Sequence, residues 1–563
     1  MHLFNFTKYM GATPQIYRIK WLYLFIGVAV LLNFTALFIP IIGPDGALYA
    51  TIAKTMVLRN DYVQLFVHQT DWLDKPHFPF WMSAISFKVF GITTWAYKLP
   101  GILFMLMGAA YTYLLAKKLY TKEIALWAVL ILLTAQHIIL SNNDVRAEPY
   151  LTGLIIASVY YYYNAYIRNN LMQLVLGSLF AACAIMTKGM FALVPIGGAI
   201  VGHLAITKQW KTLFNLSWLL AAILIGIFIL PEIYCLYQQF DAHPEKVVFG
   251  QKAVSGIKFF FWDSQFGRFF NTGPIKGNGD PFFFIHTTLW AFLPWSLLLF
   301  AAVYQFIRTG IRNVNSREWL CISGGLLTFL LFSASKFQLP HYLNIVFPFF
   351  AIITAQYLYG LQSVKNIRII RWMQLIIAGL LIIIIAVLQY YFRADEFTWH
   401  VGLTLAIWLA LLFIIPGNFA DTDFRQTAFR TAIVAVIVNL YLNLAFYPSL
   451  LKYQAGSEAA VYINRHNPAR LPVVQSQDDN PYPMEFYLNT PLTMLNADGT
   501  GPLPATPFIF YGPKDAVSAV AKGRPVEHLA QFERYWISRL SVDFLNKATR
   551  AKQVTIMQVV IIK

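Results

Sequence analysis

Between residues 21 and 447 the chain is a series of apolar runs, each close to the roughly 20 residues that an α-helix needs to cross a bilayer. In hydrocarbon a backbone must satisfy its own donors and acceptors, so runs of this kind are helical if they lie in a membrane. They fall at 21–40, 98–116, 123–141, 149–167, 171–187, 190–207, 213–231, 284–306, 319–335, 341–360, 373–391, 399–416 and 430–447, about thirteen crossings. The pattern predicts a polytopic α-helical membrane protein. Composition agrees, because 58% hydrophobic and only 12% charged residues leave too little polar surface to coat a water-soluble core.

The net charge of +17 reports topology. Lys8, Arg18 and Lys20 precede the first run, and Lys117, Lys118, Lys122, Arg168, Lys208, Lys211, Arg308, Arg312, Arg317, Lys365, Arg368 and Arg371 all fall on the same side if the runs alternate. That side is the cytoplasm by the positive-inside rule. A nucleic-acid partner is not expected, since such a partner needs a soluble basic face. The expected setting is the cytoplasmic (inner) membrane, with Asp45, Asp74, Asp144, Glu148 and the loop 232–283 on the outer side. The first run is too long for a signal h-region and reads as an uncleaved span. Cys183, Cys235 and Cys321 are too scattered for a disulfide framework or a zinc site.

Two regions depart from the apolar rhythm. Residues 43–97 mix apolar residues with Asp, Lys, His and Pro and read as amphipathic helices on the outer interface; the piece 78–90 is too short to cross. From 448 to 563, candidate strands at 471–475, 508–511 and 554–562 alternate with candidate helices at 457–465 and 514–522, which predicts a soluble α/β domain outside the membrane. The chain thus divides into a membrane domain, 1–447, and a tail domain, 448–563.

The motifs that carry chemistry all fall on the predicted outer side. Asp45, in Gly43-Pro44-Asp45-Gly46, reads structurally as a helix-start residue and functionally as a general base. Asp74-Lys75-Pro76-His77 places an ammonium in an extended, Pro-fixed loop, where it suits an interface or a phosphate oxygen. Asp144 and Glu148 sit in a polar turn with Arg146. Lys188, Arg268 and Lys336, the last followed by His341 and Tyr342, are cations on the side that should be poor in them, which suggests an anionic ligand held there. The dense aromatic residues read mainly as an interface belt. The motifs demand no cofactor; the carboxylates of Asp74 and Asp45 leave a divalent cation open.

Taken in order, Asp45 with Tyr49, Asp74-Lys75-Pro76, Asp144, Thr187-Lys188-Gly189, Gly267-Arg268-Phe269, Leu293-Pro294-Trp295 and the stretch from Lys336 to Tyr342 resemble the membrane glycosyltransferases of the C-type fold. The resemblance is to the family that contains the protein O-mannosyltransferases and the lipid A aminoarabinose transferase, and it covers roughly residues 20–360. It implies inverting transfer of a sugar from a polyprenyl-phosphate donor to a lipid, glycan or protein acceptor at the outer face. Asp45 then becomes the catalytic carboxylate with Asp144 as its partner, and Lys75, Arg268 and Lys336 become ligands of the donor phosphate. Two positions depart from the aminoarabinose branch: Leu48 stands where an Arg is common, and Asp263-Ser264-Gln265 stands where a His is expected. The competing class is a multi-span transporter or lipid flippase, although the absence of an internal repeat and the gathering of charge at loop mouths argue against it. A catalytically silent assembly protein is the third alternative.

Overall fold

The computed structural model describes residues 15–563 apart from 69, 274, 310–317, 416–418, 421–422, 477–480 and 497–500. Lys8, Arg312 and Arg317 lie outside the described residues, as does the Arg18 side chain. The rest is a helical bundle with a sheet-bearing tail. Among the described residues six helices are long and apolar enough to cross a membrane, or seven if one bent pair counts as a single span, and shorter apolar helices stand beside them.

The centre of the bundle is the helix Lys122–Thr134, buried from Glu123 onward with Trp127 fully enclosed. It packs against Gln15–Phe34, Thr94–Leu119 and Phe347–Tyr359. Glu148–Arg168 lies between Thr94–Leu119 and Leu171–Lys188. Gly153 makes the first of these approaches so close that a methyl group there would run into the Phe104 carbonyl, the small-residue contact that membrane helices use in place of a hydrophobic drive. By contrast Val364–Phe392 leaves a long apolar face exposed, Ile383 and Ile384 included, as a lipid-facing helix should.

Several sequence boundaries move. The run 123–141 is not one straight helix: the chain bends by 53° between Lys122–Thr134 and Gln136–Asn143. At the break Ala135 is extended, the Gln136 amide donates to the Leu293 carbonyl at 2.9 Å, and Trp295 Nε1 donates to Thr134 Oγ1 at 2.9 Å. The run 284–306 is likewise two helices, Phe283–Ala291 and Ser296–Thr309, joined through Pro294, which cannot extend a helix backward. Lys365, Arg368 and Arg371 belong to the first turns of Val364–Phe392 rather than to a loop. Asn142 and Asn143, at the start of the polar outer turn that holds Asp144 and Glu148, are buried at the end of Gln136–Asn143.

Residues 43–97 form the helix Gly43–Arg59, a two-stranded hairpin pairing Phe66–Val67 with Thr70–Asp71, and the helix Phe78–Phe90. Thr94–Leu119 begins four residues earlier than hydropathy suggests, because the Thr93 side chain caps Ala96 N.

In the tail, five strands lie in the order Leu492–Met494, Val473–Gln475, Phe508–Pro513, Thr555–Ile562, Val526–Arg534. The first three are parallel and the remaining pairings antiparallel. Val473–Gln475, Phe508–Pro513 and Thr555–Ile562 are the strands the sequence reveals; Leu492–Met494, only three residues long, is missed. Val526–Arg534, a partly exposed edge rich in charge, is missed because a bulge between His528 and Ala530 interrupts the alternation that sets Ala530 and Phe532 against the core. The tail docks on the helix Gly43–Arg59: Lys54 Nζ donates to the carbonyls of Glu485, Phe486 and Leu488 at 2.8, 3.0 and 2.6 Å. Ile41 N donates to the Tyr487 hydroxyl at 3.0 Å.

Candidate functional site

Helix Gly43–Arg59 has Ile42 at its cap position without a side-chain bond, and Asp45 falls in its first turn, where the helix dipole favours a carboxylate. Half of the Asp45 side chain is exposed, 49%, and its Oδ2 accepts from Arg146 Nη1 at 2.6 Å. The same guanidinium donates from Nε and Nη2 to Asp144 Oδ2 at 2.9 and 2.7 Å. Arg146 therefore bridges two carboxylates from different elements. The turn that carries it is fixed from behind: Asn142 donates to Asn33, Asn143 to Asn443, and Asn443 to Thr35, all at 2.7–2.8 Å. The Tyr97 hydroxyl donates to the Val145 carbonyl at 2.7 Å. A Cβ at Gly46 would stand 2.7 Å from Asp144 Oδ1, so glycine there lets the turn approach the Asp45 helix.

A second group faces the same space. Asp74 lies between two cations, one oxygen taken by Lys75 and the other by Arg268. Burial pushes the Asp74 carboxyl up, but the Lys75 and Arg268 charges outweigh it and hold it below the ordinary range. Burial also lowers the Lys75 ammonium against the pull of Asp74. Glu148, fully buried at the start of Glu148–Arg168, pairs with Lys188, and His341 Nε2 lies 3.7 Å from the same carboxylate oxygen. The Lys188 ammonium sits 3.7 Å over the Tyr342 ring. Gln265, in the stretch where a His was expected, accepts from Phe191 N at 3.3 Å and donates to the Lys188 carbonyl at 3.0 Å. It joins the Lys188 turn to the short helix that presents Arg268.

Asp45, Tyr49, Asp74, Lys75, Glu148, Lys188, Arg268, His341 and Tyr342 line one cavity of ≈ 690 Å³. An apolar groove of ≈ 680 Å³ adjoins it and shares Lys188, Arg268, Phe337 and Tyr342 with it. Two expected site residues are elsewhere. Asp144 stands behind Arg146 and does not line the cavity; burial pushes its carboxyl up even with Arg146 beside it. Lys336 is exposed beside the cavity, its amide donating to the Phe269 carbonyl at 3.1 Å. His77 turns away into a buried pair with Glu232, at 3.0 Å to Nδ1, with Nε2 2.9 Å from the Val63 carbonyl.

Among the described residues no three His, Cys, Asp or Glu side chains gather as a metal site. Asp74 gives both oxygens to cations and Asp45 pairs with Arg146, which fits the carboxylates poorly to a divalent ion. Arg146 is the lining residue that the sequence reading named without assigning it a role. Its signal was available, since it is one more cation on the side where cations are scarce. Gln265 carried no signal beyond its replacement of an expected His.

Chemically, the cavity offers clustered cations for an anion, a half-exposed carboxylate, and an apolar groove alongside. The family described as Dolichyl-phosphate-mannose-protein mannosyltransferase matches residues 74–234. A protein of Aquifex aeolicus is 26% identical over 71% of this chain and 76% of its own length. The undecaprenyl phosphate-alpha-4-amino-4-deoxy-L-arabinose arabinosyl transferases of Edwardsiella ictaluri and Pseudomonas aeruginosa (strain UCBPP-PA14) are each 25% identical, over 58% and 62% of this chain. The matches span 57% and 61% of those two transferases. In fold, the chain superposes on ArnT from Cupriavidus metallidurans bound to undecaprenyl phosphate with a TM-score of 0.71 at 18% identity, covering 96% of this chain and 98% of that one.

Proposed function

We propose that this chain, which belongs to the membrane glycosyltransferases of the C-type fold, transfers a sugar from a polyprenyl-phosphate donor to an acceptor nucleophile at the outer face of the cytoplasmic membrane. The observation that carries the reading is the meeting, in one cavity, of Asp45 with Lys75, Lys188 and Arg268 beside an apolar groove. The donor phosphate sits among those cations, where Arg supplies a planar fork and Lys a compact charge, while the polyprenyl chain runs into the groove. Asp45 takes the proton of the acceptor as its oxygen or nitrogen attacks the anomeric carbon. The bond from that carbon to the phosphate oxygen breaks, and its electron pair leaves with the polyprenyl phosphate. Attack from the face opposite the phosphate inverts the anomeric centre.

Asp45 is the catalytic residue in this scheme. Arg146 and Asp144 position it: the guanidinium donates to the Asp45 carboxylate, and partly buried Asp144 holds the guanidinium. Lys336, at the rim, meets the donor phosphate only as it enters. The crossing pattern supports about thirteen spans, with 448–563 outside and packed on the Asp45 helix. Transport is the weaker reading, because the charges cluster at one end of the bundle rather than in broken helices at mid-depth.

The test is turnover by purified protein of polyprenyl-phosphate sugars, with membrane extract as acceptor and release of free polyprenyl phosphate as the readout. Release that depends on Asp45 supports the reading. Folded protein that turns over no such donor overturns it.

A further inference from the structure

The helices that build the cavity have a second end. Glu148 and Lys188 stand at one end of Glu148–Arg168 and Leu171–Lys188, and the opposite ends, Arg168 and Leu171, lie about 30 Å away along the helices. There a separate cavity of ≈ 830 Å³ opens between these two helices and Ser217–Phe228, lined by polar residues that include Asn169, Asn170, Thr212 and Asn215 together with Tyr166 and Trp218. The catalytic scheme makes no use of it.

The lining is organised for an acceptor-rich ligand. Asn170 Oδ1 accepts from Gln173 N at 3.1 Å and Asn215 Oδ1 accepts from Ser217 N at 2.8 Å. Both amides thus turn their oxygens to the backbone, and their Nδ2 donors have no partner among the described residues. Arg168 adjoins Asn169 in the chain, Lys211 adjoins Thr212, and Lys208 lies just before; all three are exposed. Residues 149–231 contain no Asp or Glu, and none of the three cations has an ion-pair partner among the described residues. Around this polar centre stands an apolar collar: Leu171, Met172, Phe214 and Leu216 are 61–79% exposed. Amide donors in the cavity, exposed cations next to its lining residues in the chain, and exposed hydrophobic side chains at its edge match a phosphate-bearing headgroup whose acyl chains continue into the bilayer.

We propose that this cavity binds the headgroup of an anionic phospholipid from the leaflet opposite the Asp45 cavity. The proposal is independent of the glycosyltransferase reading. The collar distinguishes a lipid from a free anion, since inorganic phosphate has nothing to place against Phe214 and Leu216.

The experiment uses the full chain in neutral detergent, equilibrated with equal phosphatidylglycerol and phosphatidylcholine, washed, and analysed for retained lipid by native mass spectrometry. Wild type should retain phosphatidylglycerol in preference to phosphatidylcholine by about ten- to a hundred-fold, in line with three cations near a charged headgroup. That preference should fall at least about ten-fold in the triple variant Arg168→Ala, Lys208→Ala, Lys211→Ala. Asn215→Leu should weaken retention while elution volume and melting temperature stay at wild-type values. Equal retention of the two lipids, an unchanged preference in the triple variant, or release of the lipid by millimolar inorganic phosphate would each overturn the proposal.

Discussion

The two walls of the cavity are built with opposite imbalances. On one wall a single guanidinium, Arg146, serves two carboxylates, Asp45 and Asp144. On the other, Lys75, Arg268 and Lys188 share Asp74 and Glu148. The first wall keeps a carboxylate half exposed; the second keeps cations in excess of their partners. In the proposed scheme such a division separates proton acceptance from anion binding, two tasks that would cancel each other if the charges were mixed. It also explains the positions of Asp144 and Asp74, each of which holds cations in place.

The comparison breaks most visibly at Asp45. Asp45→Asn keeps the shape and removes the proposed base, so turnover should fall by about 100- to 10,000-fold; near-normal turnover in that variant would show that this wall does not carry the base. Next in size is the cation wall. Arg268→Ala should raise the donor KM strongly, and Arg268→Lys should restore only part of the loss, because an ammonium cannot reproduce a bidentate fork.

A smaller effect sharpens the assignment of Arg146. In Arg146→Gln, partly buried Asp144 loses the cation that offsets its desolvation, and its carboxyl holds a proton to higher pH beside the Asp45 carboxylate. The acid limb of the kcat/KM profile should therefore move to higher pH, with activity recovering as pH rises, and Arg146→Lys should move it less. A uniform loss at every pH would reduce Arg146 to a packing role. Smaller still is the tail contact. Lys54, pushed down to about 8 by burial against the pull of Glu485, is charged more readily in the unfolded chain. Its contribution to stability therefore rises with pH from about 8 toward its ordinary value near 10.5. Lys54→Met should remove that rise from the thermal-unfolding profile. The least effect is expected at exposed Lys336, where Lys336→Ala should change the donor KM by no more than a few-fold.

Much of this arrangement is legible in the residues. Most of each apolar run falls on helix, although the first leaves it after Phe34 and the run 284–306 breaks around Pro294, and the piece 78–90 is a short helix of that length, because hydrocarbon leaves the backbone few alternatives. The alternation of basic clusters put Asp45, Asp74, Asp144, Glu148, Lys188 and Arg268 on one side of the membrane, and the fold gathers them at one end of the bundle. What stayed hidden depends on contacts between elements distant in sequence. Nothing local to Asn142 or Asn143 reveals that Asn33 and Asn443 will bury them. The break at Ala135 arises from its partners at 293 and 295. Asp144 and Arg146 are two residues apart, and only the packing of the Asp45 helix at Gly46 decides which of them faces the cavity. The edge strand Val526–Arg534 depends on its pairing with Thr555–Ile562, since its own sequence has no unbroken apolar alternation.

The central claim is that the two walls divide the work, and the most direct test is the affinity for polyprenyl phosphate measured on Asp45→Asn and Arg268→Ala beside wild type. The division predicts wild-type affinity in Asp45→Asn, whose turnover is strongly reduced, and a loss of about ten-fold or more in Arg268→Ala. Asp45→Asn that loses affinity as fully as Arg268→Ala would contradict it, because the carboxylate would then belong to the phosphate site rather than to the acceptor.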